Sequence, residues 1–427
     1  MLLLYSPYHT ARLQYTCSFI LSELLGLVFR ITTDIQEFQN YSGPKINYSN
    51  HSCDNGEMSI VPHGLLFENN IQPQQVTCFE YKQYPAFFKT RDTDWPFDIF
   101  SASFYLLSRY EEYLPHSKDA YGRYAHNNAL AFKEGFLQLP LINCWANLFA
   151  GYVLERFPSL QIQTPAFRFV PTYDIDMAWC YKHKGWLRNI AGFIKSPSAE
   201  RLHVLYGKKP DPFDSFEWLH ALHHKYQLQP LYFFLLAQHH SRYDKNIAPQ
   251  HPAMQQLVKA HAKRYTSGIH PSWQTGDAMH LLHREIAILQ QLTAKSVTIS
   301  RQHYIRFTLP EGYRRLIAAG ITDDYSMGYG SINGFRASVA SAFYWYDLEK
   351  NEQTALRVHP FCFMDANSYY EQHYSPAQAY DEMWQYYEKC KAVGGTLCTL
   401  WHNNFTGTGK QFEGWRQVYE QFINRVL

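Results

Sequence analysis

From residue 167 to the C-terminus the chain alternates apolar runs of strand length with amphipathic stretches of helix length. No other feature limits the fold as much. The apolar runs span 167–174, 231–237, the stretch into Gly268-Ile-His270, 297–301, 356–359 and 396–402. The run at 231–237 is almost continuously apolar, which suits a strand buried on both faces. Helical patterns lie between and after them, at 213–224, 252–264, 277–292, 310–319, 376–392 and 415–427. Repeated strand–helix units over about 260 residues predict a parallel barrel or an open parallel sheet.

The first 165 residues follow a different pattern. A helix is predicted over 10–25, with Leu13, Cys17, Ile20 and Leu24 on one stripe and Gly26 as its stop. Strand-like pieces follow at 28–32, 46–48 and 58–67, separated by Tyr41-Ser-Gly-Pro and Asp54-Asn-Gly. Two more helical patterns occupy 96–113 and 139–157. The expectation is a smaller α+β domain at 1–165 followed by an α/β domain at 166–427. A chain of 427 residues is long enough for both.

Composition excludes several classes. Charged residues are 18% and the 39 Lys and Arg nearly balance the 37 Asp and Glu, so the chain is too apolar for disorder. The net charge of +2 is too small for a duplex nucleic-acid binder. No run of eighteen apolar residues is present to span a membrane. The apolar start at 1–5 is short and lacks a basic leader, and the eight cysteines are scattered with no C-x-x-C pair. A cytoplasmic protein with reduced thiols is the expectation. Oligomeric state leaves no signal. Aromatic residues reach 17%, which is either core mass or stacking surface for flat ligands such as sugars.

In parallel barrels the working residues lie at the C-terminal ends of strands, where the loops converge. Here those ends read Thr172-Tyr-Asp174-Ile-Asp176, Gly268-Ile-His270-Pro-Ser272, Ser300-Arg301-Gln-His303-Tyr304, Asp324-Tyr325 and Leu400-Trp-His402. Asp174 and Asp176 read either as caps of the next helix or as a metal ligand beside a general base. A D-x-D pair also suits a metal-dependent glycosyltransferase. His270 is one of 21 histidines, but its position at a strand end suits a ligand. Arg301 and His303 sit two apart on an extended strand and so point to one side. A buried Arg301 would hold an Asp ionised and oriented. His402 suits a general acid, because histidine alone titrates unaided near neutrality.

Taken in order, these motifs resemble the polysaccharide deacetylases, carbohydrate esterase family 4, over roughly 167–427. Thr172-Tyr-Asp174-Ile-Asp176 resembles the family's Thr-Phe-Asp-Asp, and Gly268-Ile-His270-Pro-Ser-Trp-Gln274 its His-Ser-x-x-His. Ser300-Arg301-Gln-His-Tyr304 resembles the arginine motif, Asp324-Tyr325 the fourth motif, and Leu400-Trp-His402 the Leu-x-His motif. The chain is similar to a bacterial subgroup with an extra N-terminal domain, in phrases such as Pro96-Phe-Asp-Ile-Phe and Leu107-Ser-Arg-Tyr-Glu-Glu-Tyr113.

The resemblance implies a distorted (β/α) barrel and a metal-dependent hydrolase that removes acetyl groups from an acetylated sugar or glycan. It implies Asp174 as base, Arg301 as its orienting partner and His402 as acid. Asp176, His270 and His303 are the implied ligands of a divalent metal, zinc in the first instance. Two departures stand out. Ile175 separates the two acids, which leaves their roles exchangeable. Gln274 stands where the second metal histidine belongs. Three arrangements are therefore open: His303 or His359 supplies the third ligand, two protein ligands suffice, or the barrel only binds glycan as an inactive scaffold. Trp273, Tyr304, Asp324, Tyr325 and Trp401 are the expected substrate contacts, with Trp179 and Tyr181 as further stacking candidates.

Overall fold

The computed structural model describes residues 1–53, 56–90 and 94–427; the Asp54-Asn-Gly break lies partly outside them. Near the N-terminus, strands β1 (Leu2–Tyr5), β2 (Phe29–Thr32), β3 (Lys45–Asn47) and β4 (Met58–Ser59) form a parallel sheet in the order β2-β1-β3-β4. The apolar start of the chain is an inner strand of that sheet, with Leu2, Leu3 and Leu4 fully buried. The helix predicted over 10–25 forms. Thr10 Oγ1 caps Ala11–Cys17 by accepting from the Leu13 amide, and wider turns continue it through Ser18–Leu24. It stops at Gly26, whose φ of +64° is the left-handed conformation glycine adopts without strain. The stretch 58–67 is not one strand: β4 is short, and after Gly64 the chain makes a single helical turn, Leu65–Phe67. Beyond it, β5 (Phe79–Tyr81) and β6 (Tyr84–Ala86) pair as an antiparallel hairpin.

The second sheet contains β7 (Arg168–Ile175), β8 (Leu231–Leu235), β9 (Thr266–His270), β10 (Ile299–Ser300), β11 (Asp323–Asp324), β12 (Phe343–Asp347), β13 (Glu352–Val358), β14 (Phe363–Met364) and β15 (Thr396–His402). Its order is β12-β13-β11-β10-β9-β8-β7-β15-β14. Antiparallel β12 adds to the edge of β13, and every other neighbouring pair is parallel. The eight parallel strands follow one another around the sheet in chain order, which is the order of a (β/α) barrel. The seam falls between β13 and β14, which share no ladder pair among the described residues. The barrel is distorted where β10, β11 and β14 shrink to two residues each, and where no helix joins β11 to β12.

The predicted helices flank these strands, at Phe216–Lys225, Pro252–Arg264, Met279–Thr293, Glu311–Ala318, Pro376–Ala392 and Trp415–Val426. The longest starts with Pro376 in its first turn and a reciprocal capping box between Ser375 and Gln378. On β8, Tyr232 to Leu235 are wholly buried, as a strand covered on both faces requires. The tryptophans Trp95, Trp145, Trp345, Trp401 and Trp415 are among the largest fully buried side chains, so much of the aromatic excess is core.

Buried polar contacts join the N-terminal segment to the barrel. Tyr15 donates to the Tyr344 carbonyl at 2.7 Å, and Arg12 donates to Asn351 at 3.0 Å. Glu112 accepts from Arg109 at 2.9 Å and from Arg336 at 2.6 Å, with all three side chains buried. Burial alone would raise the Glu112 carboxyl, but Arg336 and Arg109 outweigh it and hold it down at about 2.

Candidate active site

The pleat of β7 places Asp174 and Asp176 on one face and turns Ile175 away into the core. In the β7–β15 ladder, Asp174 lies directly opposite His402. On the other side β8 and β9 carry His270 to the same end of the sheet, beyond the Leu235–His270 pair. Arg301 follows β10, and the chain then turns through His303–Ile305. The strand expected over 297–301 is thus shorter, and His303 reaches the mouth from a tight turn rather than from an extended strand. Both side chains still converge on the acids.

Arg301 is fully buried and donates to Asp174 Oδ1 at 3.0 Å, to Thr172 Oγ1 at 2.7 Å and to the Tyr325 carbonyl at 2.9 Å. Its guanidinium also lies 4.5 Å from the Phe233 ring centre. Such a clamp fixes the direction of the Asp174 carboxylate. Asp174 Oδ2 is 3.7 Å from His270 Nε2.

Asp176, His270 and His303 form a cluster whose ligand atoms all lie within 4.8 Å of one another. The second contacts of the two imidazoles set their tautomers. His270 Nδ1 is 2.6 Å from the Arg301 carbonyl, which only accepts, so Nδ1 carries the proton. His303 Nδ1 is 3.1 Å from the buried Asp244 carboxylate. Both Nε2 lone pairs are thereby left facing Asp176, at 3.1 Å and 3.4 Å. Asp176 Oδ1 is buried without a hydrogen-bond donor. Two imidazole lone pairs and an orphaned carboxylate oxygen turned toward one point fit a divalent cation. Burial would raise the Asp176 carboxyl, yet His303, His270 and His402 hold it well below the usual carboxylate range. Burial would lower His303, but Asp176 and Asp244 push it up to about 9, so a cation would reach its Nε2 lone pair by displacing a proton.

Gln274, at the position expected for a family histidine, does not enter the cluster. Its Nε2 donates to Asp244 Oδ2 and to the His239 carbonyl, each at 3.2 Å. It therefore steadies the carboxylate that orients His303. His359, the alternative ligand, turns away: its Nε2 is 2.8 Å from Asp323, and its ring stacks on Tyr325 at 4.2 Å.

His402 is held by Asp365, a buried residue the motifs did not single out. Asp365 Oδ1 lies 2.7 Å from His402 Nδ1, and Oδ2 accepts from the His402 amide at 2.6 Å. Burial would lower the imidazole, but Asp365, Asp176 and Asp174 push it up to about 10. Its Nε2 lies 3.7 Å from Asp176 Oδ2.

Asp174, Asp176, His270, His303 and His402 line a cavity of about 440 Å³. Tyr304 lines it, as do Tyr121 and Arg123 from the N-terminal segment and Tyr243 and Lys245 from the loop after β8. Four expected substrate contacts do not. Trp401 is fully buried against Tyr419 at 4.4 Å. Asp324 is fully buried and accepts from Ser300 Oγ at 2.7 Å and from the Ser326 amide at 2.9 Å. Trp273 stacks on Tyr243 at 3.8 Å, one ring behind the cavity wall, and Tyr325 packs on His359. Trp179 and Tyr181 follow β7 but are absent from the lining. Asp365 had left a trace in the sequence, as an Asp just after the apolar run Phe361-Cys-Phe-Met; Asp244, separated from the run at 231–237 by polar residues, had not. Nothing local marked Tyr121 and Arg123.

A family model described as a family of unknown function, DUF7033, matches residues 2–158. No curated protein matches the chain. Among solved structures it is similar to a Mycobacterium smegmatis protein named as a polysaccharide deacetylase, at 12% identity and a TM-score of 0.41, over 61% of this chain and 84% of that one. A Pseudomonas aeruginosa protein named likewise gives 13% identity and a TM-score of 0.39 over the same shares. The polysaccharide deacetylase Bc1974 of Bacillus cereus gives 10% identity and a TM-score of 0.30, over 61% and 88%.

Proposed function

We propose that this chain is a metal-dependent hydrolase that removes acetyl groups from an acetylated sugar or glycan. The observation that carries the reading is the Asp176–His270–His303 cluster, two Nε2 atoms converging on a carboxylate whose buried Oδ1 has no hydrogen-bond donor. Those three residues would hold the cation, and zinc suits a site of two imidazoles and one carboxylate. When bound, the cation supplies Lewis acidity beside the scissile carbonyl.

The protein's own groups divide the proton transfers. Asp174, aimed by Arg301, takes a proton from the attacking water. His402, protonated and held by Asp365, gives a proton to the leaving nitrogen as the tetrahedral intermediate collapses. Because Arg301 occupies Asp174 Oδ1, the base role falls to Asp174 and the ligand role to Asp176. Tyr121, Tyr243 and Tyr304 present rings to the cavity and form the sugar-stacking wall. We place the division of the chain at residues 165 and 166, with the first part supplying one rim of the cavity. Eight unbridged cysteines, five of them buried, support a reducing compartment such as the cytoplasm.

Acetate release from N-acetylhexosamine oligomers tests this reading. Asp174→Asn is expected to lower the rate about 10²–10⁴-fold while the fold persists. A variant that releases acetate as fast as the parent would show that Asp174 is not the base.

A further inference from the structure

The connection from β7 to β8 leaves the mouth of the barrel and forms two helices, Trp186–Lys195 and Ala199–Leu205, that no strand–helix unit requires. The first has no buried residue at all. Trp186, Leu187, Ile190, Phe193 and Ile194 recur at helical spacing on one face, and Arg188 and Lys195 lie on the other. That apolar face is open to water: Trp186 is 71% exposed and Ile194 76%, and beyond the second helix Tyr206 is 77% exposed. Among the described residues, eight of the fifteen exposed large hydrophobic side chains lie between Trp186 and Tyr206. An apolar patch this concentrated marks a surface that is covered in use.

Its charge says by what. Between Lys182 and Lys209 the chain carries seven Lys or Arg against a single acid, Glu200. The remaining 32 basic and 36 acidic residues make the rest of the molecule net negative. Lys195, Lys208 and Lys209 are exposed on the same segment. Bulky apolar residues with an aromatic ring, flanked by lysines and nearly free of acids, match the boundary between acyl chains and anionic headgroups.

The hairpin is also tied to the cavity wall. Arg188 bonds His240 at 3.0 Å, on the loop that carries Tyr243 and Lys245 to the cavity. An open groove of about 840 Å³ separates the helices from that loop, lined by Trp186, Ile190, Phe193, Leu202 and Ile247. We propose that this helical hairpin docks the protein on an anionic bilayer surface and sets the barrel mouth against it. The docking does not rest on the acetyl-hydrolysing reading. No helix among the described residues is long and apolar enough to cross a membrane, so the contact is peripheral.

Co-sedimentation of the full chain with vesicles tests this. The protein is expected to bind phosphatidylglycerol-containing vesicles, to ignore pure phosphatidylcholine vesicles, and to weaken roughly tenfold or more at high salt. Trp186→Glu combined with Ile194→Glu, both on exposed positions, should weaken binding roughly tenfold or more with an unchanged melting profile. Failure to bind anionic vesicles would overturn the proposal, as would equal binding by the double variant. A concentration-dependent dimer abolished by the same substitutions would also overturn it, assigning the face to a second copy of the chain.

Discussion

On the proposed reading, His303 takes the place of the expected ligand that Gln274 replaces. Its Nδ1 is pinned by Asp244, its Nε2 faces Asp176, and Gln274 supports Asp244 from behind. The sequence already held His303 as a candidate ligand beside His359. It could not choose between them, because the choice depends on a tight turn after β10 and on the Asp323 contact that draws His359 away. The sequence places Asp365 after an apolar run but does not give its role, which exists only through a hydrogen bond across 37 positions. Asp365→Asn tests that role. Without the carboxylate, His402 loses both its orientation and the charge that raises it, so the rate should fall about 10²–10⁴-fold. His402 must be protonated to act, and losing the negative partner lowers its pKa. The alkaline limb of the rate profile should therefore move to lower pH, which a purely structural residue would not cause.

At the level of elements, apolar runs and strand ends read clearly where strands are long. β7, β8, β9 and β15 lie where the periodicity put them, and their ends carry Asp174, Asp176, His270 and His402. β10, β11 and β14 are two residues each: the apolar run at 297–301 marked β10, the Asp324-Tyr325 motif marked β11, and β14 was not expected. The two helices within 186–205 were not among the expected elements, although the first keeps helical spacing in the sequence and leaves most of its apolar face exposed. On β9, Gly268 is a packing requirement rather than a turn: a Cβ there would sit 2.7 Å from the Phe233 ring and 2.9 Å from the Ile299 carbonyl. Gly268→Ala should cost about 1–3 kcal/mol through overpacking, read from urea unfolding. It should also weaken metal retention, because the displaced strand carries His270. An alanine variant as stable as the parent, with full metal content, would contradict this packing account.

Across the whole molecule, the N-terminal segment is bound to the barrel through buried charge and supplies Tyr121 and Arg123 to the cavity rim. Glu112 lies at that junction between Arg109 and Arg336. Glu112→Gln leaves two buried guanidiniums short of a counter-charge and should destabilise the chain by about 3–5 kcal/mol. The sign of its pH dependence follows from the depressed carboxyl. The contribution is complete above the ordinary value of 4.5 and is lost as the pH falls toward about 2. Parent and variant unfolding curves should therefore converge in acid and separate toward neutrality. The proposed function centres on the cluster of Asp176, His270 and His303 at the barrel mouth. Its most direct test is the metal content of the purified chain after zinc loading and dialysis. The parent and His359→Ala should retain a stoichiometric ion, and His303→Ala, still folded by circular dichroism, should lose it. A metal-free parent, or a His303→Ala variant that keeps its zinc, would contradict the account.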